Sequence, residues 1–136
     1  MQQPSLLAGS AFCFAAQCLV VACGPSPTAP SGLGPLLNVS AGSIHTCGLT
    51  AVGAVYCWGA NGGALGDGTT TERHTQVSVA MPAGVTFTNV SAGGGHTCGL
   101  TPPRAPYCWG SNAEGQVGDG TTTVRLVPTI VMLPTG

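Results

Sequence analysis

The chain has 136 residues, a length that ordinarily makes one domain. Charged residues make up 5% of it; lysine is absent, and three Arg nearly cancel four Asp and Glu. With no basic stripe to neutralise phosphates and no acidic tail or charged linker, nucleic acid is not an expected partner.

From Leu6 to Cys23 the run LLAGSAFCFAAQCLVVAC has no charge and only Ser10 and Gln17 as polar interruptions, which is long enough for a membrane span. Its end, VVAC at Val20–Cys23, resembles the lipobox of bacterial lipoprotein signal peptides, where cleavage precedes the cysteine and its thiol carries the lipid. The start MQQPS lacks the Lys or Arg of an export signal, so a plain signal peptide, an uncleaved anchor and a misread start stand beside the lipoprotein reading. The leading expectation is a lipoprotein-like signal over residues 1–23, with lipidation at Cys23. It implies an extracytoplasmic protein, either membrane-anchored through lipid or secreted. Residues 24–37, which include GPSPTAPSGLGP, form a Pro/Gly/Ser-rich linker with nothing to bury and no reason to fold.

Beyond the linker the sequence repeats. NVSAGSIHTCGL at Asn38–Leu49 returns as NVSAGGGHTCGL at Asn89–Leu100. YCWGANGGALGDGTTTER from Tyr56 returns as YCWGSNAEGQVGDGTTTVR from Tyr107, with one extra residue before Gly118. The boundaries are 38–88 for the first repeat and 89–136 for the second. Glycine and proline, at 22 and 11 residues, would suggest disorder if scattered, but here they recur periodically and read as turns. HTCGLT and AVYCW are short strand-like runs joined by Ala51-Val52-Gly53, and a final glycine suits a left-handed turn position. GANGGALGDG is a turn cluster, and TQVSVAM at Thr75–Met81 alternates as a further strand. The fold class is therefore all-β, with propeller-type blades of short antiparallel strands.

These two units resemble the repeats of the regulator of chromosome condensation family, whose members form a seven-bladed β-propeller. The variant with HTC followed by YCWG is similar to exported bacterial members of that family. Two repeats make an incomplete propeller, so the expectation is a fragment of a longer propeller, or self-assembly of several chains to complete one.

Cys47 and Cys57 flank Val52 evenly, as Cys98 and Cys108 flank Pro103. Hairpins centred there bring the paired β-carbons about 4.5–5.5 Å apart, near disulfide reach. Cys13 and Cys18 belong to the signal and Cys23 to the lipid, which leaves two disulfide pairs, compatible with an oxidising compartment. A zinc site from His45, Cys47, His96 and Cys98 is the rival reading, and free buried thiols are another; zinc would leave Cys57 and Cys108 without a role. The second turn, PPRAP, lacks the glycine and places Arg104 where it fits badly, so it is expected to be wider or differently shaped.

The other recurring residues read as structural positions. His45 and His96 are core histidines bonded to nearby backbone, and Trp58 and Trp109 fill the space between blades. Asp67 and Asp119 mark turns whose spacing does not follow a calcium loop. No catalytic constellation, metal or cofactor is expected. The expected function is a non-catalytic, exported or cell-surface protein-interaction module with an unknown protein partner. A secreted enzyme inhibitor is the first alternative, and a guanine-nucleotide exchange regulator, by family analogy, the second. Partner-specifying candidates are the positions that differ between repeats: Glu72, Arg73 and His74 against Val124, Arg125 and Leu126, and Pro102–Pro106 against Ala51–Ala54.

Overall fold

A computed structural model of the chain describes residues 34–134. The expected signal segment, Cys23 and nearly all of the expected linker lie outside the described residues. The described residues form two four-stranded antiparallel sheets in simple up-and-down order. The first contains β1 (Leu36–Ala41), β2 (His45–Thr50), β3 (Val55–Gly59) and β4 (Arg73–Ser78). The second contains β5 (Asn89–Ala92), β6 (His96–Leu100), β7 (Pro106–Gly110) and β8 (Arg125–Ile130). Strand β1 starts at Leu36, inside the segment expected to be linker.

Registers match between the sheets. His45 opposes Gly59 and Cys47 opposes Cys57 in one; His96 opposes Gly110 and Cys98 opposes Cys108 in the other. Gly59 and Gly110 have φ of 113° and 102°, and a Cβ on Gly59 would lie 2.6 Å from the Ile44 carbonyl oxygen. Glycine is therefore needed where β3 crosses close to the start of β2. Strand β4 runs earlier than the expected Thr75–Met81, because Arg73 is drawn opposite Gly59 while Met81 N–H turns back onto the Val79 carbonyl just before Pro82.

The two hairpin turns close with matching hydrogen bonds but differ in shape, as expected. Thr50 N–H bonds the Ala54 carbonyl at 2.9 Å, and Thr101 N–H bonds the Ala105 carbonyl at 3.0 Å. Arg104 takes φ 85° where Gly53 takes 79°, so the turns agree at that position, and the second differs by its cis Pro102–Pro103 bond. The surroundings differ as well. A Cβ on Gly53 would meet Thr86 Cβ at 2.7 Å and the Phe87 carbonyl oxygen at 2.9 Å, whereas no glycine is required at the exposed Arg104.

The core lies between the sheets. Cys47, Leu49, Val55 and Cys57 come from the first and Val90 and Trp109 from the second, with Leu65, Val79 and Phe87 supplied by the connecting segments. Phe87 stacks on Trp109 with centroids 5.8 Å apart and meets Tyr107 edge-on at 6.0 Å. Burying each such large apolar side chain stabilises the pair by about 1.5–3 kcal/mol.

Candidate functional site

The recurring residues gather at the joint between the sheets and in the long β3–β4 and β7–β8 loops. At the joint, Thr97 is fully buried and donates its hydroxyl to the Ala64 carbonyl at 2.8 Å. Its lone pair is then left to accept from His45 Nε2–H, also at 2.8 Å. That bond assigns the proton of the neutral ring to Nε2 and leaves Nδ1, buried, with no partner among the described residues. Trp109 Nε1–H donates to the same Ala64 oxygen at 2.9 Å. Burial, then the charge of nearby His96, hold the His45 pKa below the usual histidine value. His45 is thus a core histidine bonded to a threonine hydroxyl of the other sheet, rather than to neighbouring backbone.

Trp109 fills the space between the sheets, as the repeat pattern implied, but Trp58 is half-buried on an outer face. His96 is likewise half-buried. Cys47 Sγ is bonded to Cys57 Sγ and Cys98 Sγ to Cys108 Sγ, each pair facing across adjacent strands with Cα atoms 4.1 Å apart. The sulfurs that a zinc site would use, those of Cys47 and Cys98, are therefore in disulfides.

Each long loop is built around a buried asparagine. Asn61 Oδ1 accepts the Gly63 N–H at 2.9 Å, while its Nδ2 donates to Asp67 Oδ1 and to the Thr69 and Thr71 carbonyls at 3.0–3.1 Å. Asn112 does the same for Val117, Asp119, Thr121 and Thr123. Asp67 receives Arg73 Nε and Nη2 at 3.1 and 3.0 Å, and Asp119 receives Arg125 Nε. Burial works against ionising both aspartates. Bonds from Thr69 and Arg73 outweigh it at Asp67, and bonds from Thr121 and Arg125 at Asp119, whose pKa is held down at about 2.

Sequence reading placed the aspartates in turns but missed their arginines, the two asparagines and Thr97. The signal was present in the repeated spacing of WG, a small residue, Asn, then GDGTTT and Arg. Arg73 and Arg125 thereby leave the set of free, variable positions. Val124 and Leu126 leave it too, since both approach Gly63 in the other sheet. Glu72 and His74 stay exposed, 3.2 Å from each other, and Pro102, Pro103 and Arg104 form an exposed turn.

The model of the regulator of chromosome condensation (RCC1) repeat matches residues 52–100 and 107–136, and a second model of the same description matches residues 37–63. The probable E3 ubiquitin-protein ligase HERC4 of Homo sapiens is 35% identical over 71% of this chain, which spans 9% of that protein. The ultraviolet-B receptor UVR8 of Arabidopsis thaliana is 34% identical over 69% of the chain, which spans 22% of it. Among solved structures, human WBSCR16 superposes with a TM-score of 0.68 at 24% identity, covering 76% of this chain and 28% of its own. Prp20p of Saccharomyces cerevisiae does so with a TM-score of 0.58 at 22% identity, covering 74% and 26%. With matching repeats over most of the described residues and two sheets arranged as propeller blades, the chain belongs to the regulator of chromosome condensation repeat family.

Proposed function

We propose that the chain is a non-catalytic protein-interaction module that works outside the cytoplasm, held at a membrane by lipid on Cys23 or secreted. The observation that carries this reading is that the asparagine, aspartate and arginine common to both repeats are committed to bracing their own loops, and His45 to the joint between the sheets. Asn61, Asp67 and Arg73 brace one loop, Asn112, Asp119 and Arg125 the other, and His45 the joint. Variation is left to exposed turns, which suits recognition of a partner by loops on a rigid scaffold. The paired cysteines favour an oxidising compartment. Prp20p, which shares the fold, is described by its binding to Gsp1p and histones, an example of such a scaffold engaging proteins.

Two measurements test the reading. Intact-cell digestion with a protease, followed by mass measurement of the mature chain, should show an accessible protein that begins at Cys23, with four cysteines unreactive to maleimide before reduction. A full-length cytoplasmic chain with free thiols would sink the compartment. A photo-crosslinker at Arg104 or Glu72 should give a discrete adduct with another polypeptide, and no adduct at either loop would sink the interaction role.

A further inference from the structure

We propose that the junction of Asn61 and Gly62 is a self-modification site, where the chain converts the asparagine bracing its first long loop into an aspartyl residue and so opens that loop irreversibly. The reaction needs no partner and no particular compartment. The Gly62 nitrogen attacks Asn61 Cγ; a C–N bond forms, the Cγ–Nδ2 bond breaks, and the proton of the Gly62 N–H ends on the departing ammonia. Water then opens the cyclic imide at either carbonyl and leaves aspartate or isoaspartate at position 61. No electrons are exchanged, and water is the only co-reactant.

Four asparagines occur in the sequence, and the residue after each decides how closely its nitrogen can approach the amide. Val39 and Val90 follow Asn38 and Asn89 with branched side chains inside the paired strands β1 and β5. Ala113 follows Asn112, and only Gly62 puts no Cβ in the way. Gly62 is exposed, and its N–H makes no hydrogen bond among the described residues. Asp67 and Asp119 also precede glycines, but each is paired with an arginine, and an ionised carboxylate is a poor target for attack.

The two ends of the Asn61 amide are held differently. Its Oδ1 accepts N–H groups of Gly63 at 2.9 Å and Leu65 at 3.3 Å, both in a buried turn. Those donors sit where negative charge develops as Cγ is attacked. Asn112 Oδ1 has one such donor among the described residues, Val117 N–H, because the Glu114 N–H goes to Gln116 Oε1. The Nδ2 end of Asn61 is held instead by Asp67 and by the carbonyls of Thr69 and Thr71. In that segment Gly68, Thr70, Thr71 and Glu72 are exposed. Exposed loop segments open locally at a small fraction of the global cost. Opening here frees the leaving nitrogen while the buried turn still grips the oxygen; closure protects the amide.

The product cannot rebuild the loop. Nδ2 supplied the hydrogens accepted by Asp67 Oδ1, Thr69 and Thr71, and a carboxylate at position 61 has none to give. It also sets a second negative charge against Asp67. The first repeat therefore loses its brace while Asn112 keeps that of the second.

Incubation of the oxidised full chain in mildly alkaline water enriched in heavy oxygen, followed by peptide mass mapping, tests this. Label should enter position 61 well ahead of position 112. Gly62→Ala should slow that uptake about tenfold, a barrier higher by about 1.4 kcal/mol. The fold accepts this change, since the added Cβ meets no atom within 4 Å. Arg73→Gln removes the fork that holds Asp67 and should speed uptake about tenfold by easing the opening. The labelled chain, separated by its extra charge, should unfold at lower urea than the unlabelled chain. Uptake at position 61 no faster than in Gly62→Ala, or equal to that at position 112, would overturn the site. An unchanged rate in Arg73→Gln would overturn gating by the loop, and an unchanged urea midpoint would overturn its irreversible opening. If Arg73→Gln loses the β-sheet circular dichroism, Arg73→Lys, which keeps the charge without the fork, replaces it under the same criteria.

Discussion

Replacing Thr97 by Val keeps nearly the same side-chain shape and removes only the hydroxyl that links His45 to Ala64 across the joint. The Ala64 oxygen keeps Trp109 Nε1–H at 2.9 Å, so the acceptor stays satisfied. His45 Nε2–H does not: it stays buried, on a ring whose Nδ1 already lacks a partner among the described residues. An unsatisfied buried donor costs about 1–3 kcal/mol. Taking about 2 kcal/mol, the folded-to-unfolded ratio falls some thirtyfold and the thermal midpoint by about 10 °C for a domain of this size. The same substitution at Thr46, half-buried on an outer face, should cost less than about 0.5 kcal/mol when measured at a dilution where the chain is monomeric. Thr97→Ser keeps the hydroxyl and loses one methyl, for about 1 kcal/mol. Urea unfolding of the oxidised chain, followed by tryptophan fluorescence, reads all three. If Thr97→Val is as harmless as Thr46→Val, or no worse than Thr97→Ser, the hydrogen-bond relay is not what couples the sheets.

The folded-state pKa of His45 lies below the ordinary 6.5, so the unfolded chain takes up the proton first. Stability from this group should be full above pH 6.5 and fall as pH drops toward the folded-state pKa, and His45→Gln should flatten the stability profile in that window. Asp119 ionises more readily folded than unfolded; its contribution should survive to pH 3.8 and disappear as pH falls to about 2, separating the two transitions in an acid titration followed by circular dichroism. Each disulfide closes a short loop and should contribute about 2–3 kcal/mol, read as a lowered urea midpoint after reduction. Cys98–Cys108 should be reduced first, as shown by alkylation and peptide mass, because Cys98 is half-buried while Cys47 and Cys57 are inaccessible. Arg104→Gly should stabilise the isolated chain by about 0.5–1 kcal/mol by relieving a left-handed backbone, and Gly53→Ala should destabilise it by more, both by urea titration.

Much of the blade was legible in the residues. Strands β2 and β3, their turn and the opposition of Cys47 to Cys57 follow from alternation, a glycine and even spacing. What was not legible is what depends on a neighbour. Thr46 and Thr97 occupy identical sequence contexts, as do Trp58 and Trp109, yet only the second of each pair is fully buried, because only the second sheet has another packed on that side. The tolerance of Arg104 depends on a neighbour in the same way. Intrinsic backbone preference disfavours Arg there, but nothing among the described residues presses on it as Thr86 and Phe87 press on Gly53. Arg73 and Arg125 stand among neighbours that differ between the repeats, yet they are the fixed members of that stretch.

The acceptor shared by Thr97 and Trp109 is a main-chain oxygen, and no substitution at position 64 can delete it. The side chain at that place differs between the repeats, buried Ala64 in the first and exposed Gln116 in the second. What the joint inherits instead is dependence on the path of the loop. That path is set by Asn61, which grips Gly63, Asp67, Thr69 and Thr71 and makes no hydrogen bond to either donor across the joint. The acceptor of the contact between blades therefore cannot be removed by substitution at position 64, while its placement depends on Asn61, one turn of loop away.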